Sequence, residues 1–282
     1  MRIFIYNSLI LVFLSSFVLA KEWTKFRGPS GDGHVTVKSI PSKWSDTENI
    51  KWKVPVPGKG WSSPVISADK IYLTSAVAEG DNQDAADVHR ELRVICYNAN
   101  NGNKLWDTKV FDQKPLKRPI HHKNSHASPT AIVENERVYV HFGHMGSACL
   151  NLQGEIIWKN DKLKYDPLHG NGGTPIIVDD LFFYSADALT NPFVVALDKN
   201  TGKVVWKKSR SETKQARKFS FSTPTFINMD GRSQIISPAS GAVFSYDSKT
   251  GEELWSVCLL YTSDAADDRS SVDLGGRRII KK

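Results

Sequence analysis

Apolar and polar positions alternate in short runs along most of this chain, and the runs recur in sets of four. One set opens with Ser63-Pro64-Val65-Ile66, turns, and returns as Lys70-Ile71-Tyr72-Leu73. Its counterparts are Ser128-Pro129-Thr130-Ala131-Ile132-Val133 with Arg137-Val138-Tyr139-Val140, and Thr174-Pro175-Ile176-Ile177-Val178 with Leu181-Phe182-Phe183-Tyr184. The fourth is Thr223-Pro224-Thr225-Phe226-Ile227 with Gln234-Ile235-Ile236. Such runs between turn residues predict β-strands, and a proline at a strand's start removes no needed ladder donor. A second hairpin follows each first one. The third reads Phe193-Val194-Val195-Ala196-Leu197-Asp198, then Thr201-Gly202, then Val204-Val205-Trp206. Asp or Asn opens the turn through its side chain, Gly supplies a positive φ, and Trp places a large apolar plate on the last strand.

That closing tryptophan sets the architecture. Trp52, Trp106, Trp158, Trp206 and Trp255 are spaced 54, 52, 48 and 49 residues apart. A fixed period of this size means copies of one supersecondary unit. Units of four antiparallel strands in tandem predict an all-β fold, a β-propeller with four blades visible. Ile50–Val54 carries Trp52 and reads as an outer strand with no three strands before it. In closed propellers such a strand often completes the last blade, so its partners belong at the C-terminus, and the chain is expected to be truncated from seven or eight blades. The alternative is a four-bladed ring that this strand closes.

Both ends stand outside the repeat. Arg2, an apolar run from Ile3 to Leu19 and small residues before Lys21-Glu22 predict a secretory signal peptide over 1–20. An uncleaved anchor is the alternative; no cysteine follows Ala20 to accept a lipid. Residues 21–256 form the propeller portion. Residues 257–282 leave the pattern and resemble translated sequencing-adapter sequence, a non-native or disordered tail. Setting aside Arg2 and the five basic and four acidic groups of 257–282 leaves 31 basic and 26 acidic side chains, a net +5. That dispersed excess argues against a nucleic-acid partner. Cys96 and Cys149 fall where later repeats have Ala196 and Ser245, so they read as free thiols in a small packed slot.

The Asp-x-x-Thr-Gly-x-x-x-Trp pattern of the third and fourth units resembles that of exported bacterial PQQ-like (pyrroloquinoline-quinone type) β-propeller repeat proteins. The resemblance covers about Trp23 to Trp255, including the opening Trp23-Thr24-Lys25-Phe26-Arg27-Gly28-Pro29. It implies the fold and not the cofactor, because many such propellers bind no quinone.

Candidate chemistry lies in the insertions. Phe111–His126 is longer than the equivalent connections and holds Lys114, Lys117, Arg118, Lys123, His121, His122 and His126. Glu79–Arg90 is acidic and polar, and Lys207–Lys218 is basic; all three also read as solvated loops. Hairpin geometry puts His126 and His144 at one open end, with His169 at the same end. Three imidazoles converging there would suit a zinc ion; otherwise each is an individually hydrogen-bonded rim histidine. His141 reads as a core histidine. Three residues before each strand-opening proline stand Trp61, His126, Gly172 and Phe221, which would ring the channel mouth and stack on a planar ligand, or cap the core. The candidate binding rim is therefore Trp61, His121, His122, His126, His144, His169 and Phe221.

The expected role is a non-catalytic binding or scaffold module, periplasmic or secreted, that receives protein or carbohydrate at its rim. No cofactor is expected. The alternative is part of a quinoprotein dehydrogenase using PQQ and calcium on alcohols or sugars, against which stands the lack of adjacent cysteines. No G-x-S-x-G supports a hydrolase.

Overall fold

The computed structural model describes residues 22–258, apart from 37–38, 81, 84, 117–118, 212 and 214–219. The expected signal peptide, most of the tail, Lys117, Arg118 and half of the basic 207–218 stretch, with Lys214, Arg217 and Lys218, lie outside the described residues. Four four-stranded antiparallel sheets follow one another along the chain. Blade 1 comprises β1 (Val65–Ser67), β2 (Lys70–Ala78), β3 (Arg90–Asn98) and β4 (Lys104–Gln113). Blade 2 has β5 (Ile132–Glu134), β6 (Arg137–His141), β7 (Ser147–Asn151) and β8 (Ile156–Asn160). Blade 3 has β9 (Ile176–Val178), β10 (Leu181–Ala186), β11 (Phe193–Asp198) and β12 (Val204–Ser209). Blade 4 has β13 (Thr225–Met229), β14 (Arg232–Ala239), β15 (Ala242–Asp247) and β16 (Glu253–Cys258). A 3-10 turn at Gly143–Met145 is the sole helical element among the described residues, so none of their helices is long and apolar enough to cross a membrane.

The blades are copies in register. Val65, Tyr72, Cys96 and Trp106 lie side by side across blade 1. Ile132, Tyr139, Cys149 and Trp158 do so in blade 2, and Ile176, Phe183, Ala196 and Trp206 in blade 3. The thiol slot is a fully buried position, and both its cysteines are free. Burial pushes each thiol up to about 12, so neither is a nucleophile.

Every blade also has a bulge beside its tryptophan. Cys96 pairs with Trp106 and Tyr97 with Lys104, which leaves Leu105 without a partner. Ile157, Val205 and Leu254 are left over in the same way. An extra residue bends the strand and re-aims its neighbour. The bulge therefore turns each indole toward the next blade. The Trp106, Trp158 and Trp206 N–H groups donate to the Leu152, Lys199 and Ser248 carbonyls of the following blade, at 3.0, 2.9 and 3.2 Å.

Trp52 makes the same contact, to the Ala99 carbonyl at 2.9 Å. The expected strand at Ile50–Val54 is nevertheless not a strand: no neighbouring strands supply ladder partners there among the described residues, and side chains fix it against blade 1, the Trp52 indole together with a Lys51 ammonium that donates to the Asn100 side chain at 3.0 Å. At the other end, β16 continues to Cys258, with Val257 and Cys258 opposite Val243 and Ala242, two residues past the boundary read from the repeat.

The core lies between blades, as three apolar clusters shared by blades 1 and 2, 2 and 3, and 3 and 4. Around the inner strands a chain of side-chain contacts joins the sheets. The Ser63, Thr130 and Thr174 amides donate to the Thr130, Thr174 and Thr223 hydroxyls at 3.0, 3.1 and 3.1 Å. This chain and the ladder register align Ser63 with Thr130, Thr174 and Thr223. Pro129 consequently sits two residues too early to match Pro64, Pro175 and Pro224.

The N-terminal segment closes one end of the inner strands. Trp23 bridges Ile66 through both backbone hydrogen bonds, the Val133 amide donates to the Thr24 carbonyl, and the Ala68 amide donates to the Glu22 carboxylate. The opposite end, where the inner strands begin, carries the insertions.

Candidate functional site: the open rim

Antiparallel pairing puts the β2–β3, β4–β5, β6–β7 and β8–β9 connections at one end, the end of all seven rim residues. Two neighbouring hollows are lined by residues from this set. The first, about 470 Å³, runs between the β2–β3 and β4–β5 connections and is lined by Lys59, Trp61, Arg90, His122 and His126, among others. The second, about 370 Å³, is formed by His121, Lys123, Asn124, His169, Gly172 and Phe221. His121 and Asn124 wall both, so the two are neighbours.

Trp61 is 57% exposed and Phe221 43% exposed, so neither caps the core. The alignment on proline that placed His126 with them is corrected by the register. Counted from the inner strand, the position of Trp61, Gly172 and Phe221 belongs in blade 2 to Ser128. His126 lies two residues deeper in the connection. Gly172 makes room for its neighbour: a Cβ there would stand 3.0 Å from that of Phe221.

The histidines form two groups. His121 stacks on His122 with ring centres 4.4 Å apart and meets His169 edge-on at 5.4 Å. His169 lies 6.4 Å from the Phe221 ring. His121 is held below the ordinary imidazole value by slight desolvation and by His122, His169 and Lys123, all of one sign. His126 and His144 form the second group. Burial, then Arg90 and His144, push His126 down to about 4. Burial also lowers His144, with Lys164 acting in the same direction. The expected set of His126, His144 and His169 is therefore split. Among the described residues no group of three or more His, Cys, Asp or Glu side chains is arranged to hold a metal ion.

His141 is buried, bonded to the Ser147 hydroxyl at 2.9 Å and packed on the Tyr184 ring, 4.2 Å between centres and tilted by 36°, and burial pushes it down to about 3.

Asn124 escaped the sequence reading. Its amide donates to the His169 carbonyl at 2.9 Å and the Asn171 carbonyl at 3.2 Å. Its side-chain oxygen accepts from the Ser125 amide and the Ser128 hydroxyl at 2.8 and 2.6 Å. One carboxamide thus ties the connections of two blades and holds His121 against His169. No local pattern marks it, because both receiving carbonyls come from the next repeat.

With this geometry, the chain's relatives can be placed. A family model described as outer membrane protein assembly factor BamB, of PQQ type, matches residues 90–281, more than half of the chain and into the tail set aside above. The chain belongs to this PQQ-type repeat propeller family. It is 31% identical over 140 residues to a quinoprotein ethanol dehydrogenase of Pseudomonas aeruginosa, covering 44% of this chain and 22% of that protein. It is 35% identical over 95 residues to a 1-butanol dehydrogenase (quinone) of Thauera butanivorans, covering 30% of this chain and 14% of that one. The quinohemoprotein alcohol dehydrogenase of Comamonas testosteroni shares the fold at a TM-score of 0.56 and 11% identity, over 85% of this chain and 42% of the solved one. The PQQ-type chain thus spans well under half the length of these relatives.

A quinone held with calcium needs converging oxygen donors, and such sites often use neighbouring cysteines. Among the described residues no acidic cluster serves a cation, and Cys96 and Cys149 are buried in different blades. Among the described residues, the donors such a centre needs are not gathered in one place.

Proposed function

We propose that this chain belongs to an exported protein, periplasmic or secreted, in which it acts as a non-catalytic module that binds protein or carbohydrate at the open rim. One observation carries the reading: two exposed aromatic side chains, Trp61 and Phe221, line two neighbouring hollows whose walls include imidazole, carboxamide and ammonium groups. Exposed aromatic faces beside convergent polar groups favour recognition. Among the described residues no group of three or more His, Cys, Asp or Glu side chains that could hold a metal ion accompanies them. The blade interfaces are apolar and tryptophan-locked, which gives the rim a rigid support.

The test is binding of the full chain to arrays of oligosaccharides and peptides, beside Trp61→Ala and Phe221→Ala. Signals that both substitutions reduce at least tenfold are expected. Signals indifferent to both, or none on either array, would remove the rim from the account. A second reading, part of a quinoprotein alcohol or sugar dehydrogenase, is favoured by the two dehydrogenase relatives.

A further inference from the structure

The second rim hollow gathers basic groups. His121, His169 and Lys123 line it from two connections, His122 stacks on His121 from the adjoining hollow, and the ring contacts of 4.4 and 5.4 Å hold the three imidazoles together. No carboxylate is among the residues that line this hollow. Collecting like charges costs free energy that a bound anion recovers. The floor differs: Phe221 presents an exposed ring, and Asn124, locked by four hydrogen bonds, fixes the wall. A group that satisfies both must carry a negative charge beside a flat, partly apolar face. A second exposed platform, Trp61, stands in the adjoining hollow, so the same chemistry can repeat along one groove.

We propose that the channel mouth is a binding site for an acidic polysaccharide, in which a uronate-type ring lies on Phe221 with its carboxylate among His121, His169 and Lys123, and the chain continues toward Trp61. This deepens the rim reading and rests on it. A free carboxylate alone would satisfy the cations and leave Phe221 idle. An acidic peptide would supply charge without a succession of stackable rings. Imidazoles gain charge as pH falls from 7.5 to 5.5, so affinity should rise over that interval. The groups facing His121 there are His122, His169 and Lys123, all of which oppose its protonation until an anion is present.

The experiment is calorimetric titration of the full chain at pH 7.5 and 5.5 with an oligogalacturonate and with the same oligomer fully methyl-esterified. The acid should bind at least tenfold more tightly than the ester, more tightly at pH 5.5, and at least tenfold more weakly to Phe221→Ala and to H121A/H169A. These side chains are on the rim surface, and circular dichroism of each variant checks folding. Equal binding of acid and ester overturns the anionic assignment and leaves the rim reading standing. Binding of the acid unaffected by Phe221→Ala, or matched by polyglutamate of equal charge, reduces the site to a charge patch and overturns the sugar assignment. Displacement of the acid by free pyrroloquinoline quinone at equal concentration makes the site a quinone site and overturns both. No binding of either oligomer, with array signals still lost in Trp61→Ala, overturns the polysaccharide inference alone.

Discussion

The Trp106 indole rests on the α-carbon of Gly154, the turn glycine of the next blade, so closely that a Cβ there would lie 2.7 Å from the ring. The same ring donates its N–H to the Leu152 carbonyl. Gly102, Gly202 and Gly251 hold the same place under Trp52, Trp158 and Trp206. The repeat glycine therefore meets two demands at once, a positive φ within its own hairpin and bare space for the preceding blade's tryptophan.

Replacing Gly154 with Ala should cost about 2–5 kcal/mol, because strain at φ +88° adds to overpacking against Trp106. Gly31→Ala, at φ +73° with nothing within 4 Å, should cost only ~1–2 kcal/mol. Urea unfolding of the two variants separates the terms. Equal losses would mean that only the turn conformation matters.

Trp206→Phe should destabilise by about 2–3 kcal/mol, since it strands the Ser248 carbonyl and opens space in a buried interface. Trp255 is 38% exposed and bonds to the Gln234 side chain of its own blade. Its replacement by Phe should stay within about 1 kcal/mol. Thermal melts compare them directly.

Asp187 and Arg210 form a buried ion pair at the rim end of blade 3, and Arg210 ties it to blade 4 through Ser237. Arg210 Nη2 donates to Asp187 Oδ2 at 3.1 Å and to the Ser237 hydroxyl at 2.8 Å, and Nε lies 2.7 Å from Oδ1, out of line for a hydrogen bond. Burial raises the Asp187 carboxyl while Arg210 opposes it. Asp187→Asn should cost about 3–5 kcal/mol by leaving a buried guanidinium unpaired. Replacing both with apolar residues of similar volume should cost less, and chemical denaturation of single and double variants reads the difference.

His141 makes stability pH-dependent. Its folded value is about 3, against an ordinary 6.5, so the unfolded chain takes up this proton first. The contribution is whole above pH 6.5 and is lost as pH falls from 6.5 toward 3, amounting to a few kcal/mol. His126, at about 4, acts in the same direction. Stability measured from pH 7 to 4 should fall, and His141→Gln should flatten that slope. An unchanged slope would assign the acid sensitivity to other groups.

The elements readable beforehand were those carried by local spacing: Asn or Asp, Gly and Trp at fixed offsets mark all four outer hairpins. Even the bulge has a trace, since Leu105, Ile157, Val205 and Leu254 each put a second apolar residue before the tryptophan where alternation calls for a polar one. The rim was read less well. Proline was taken as the alignment mark, but Ser63, Thr130, Thr174 and Thr223 hold the register, and Pro129 misled by two residues. Asn124 and the Arg210–Ser237 bond act between blades, where sequence separation hides the partner. Trp52 was read as a strand from its tryptophan, yet a strand requires neighbours.

The most direct test of the binding-module account is an absorbance titration of the full chain with pyrroloquinoline quinone, with and without calcium. The account predicts no saturable spectral change in either case, because these blades offer no cation cluster and no paired thiols. A saturable, calcium-dependent change with unit stoichiometry would contradict it and establish the dehydrogenase reading in its place.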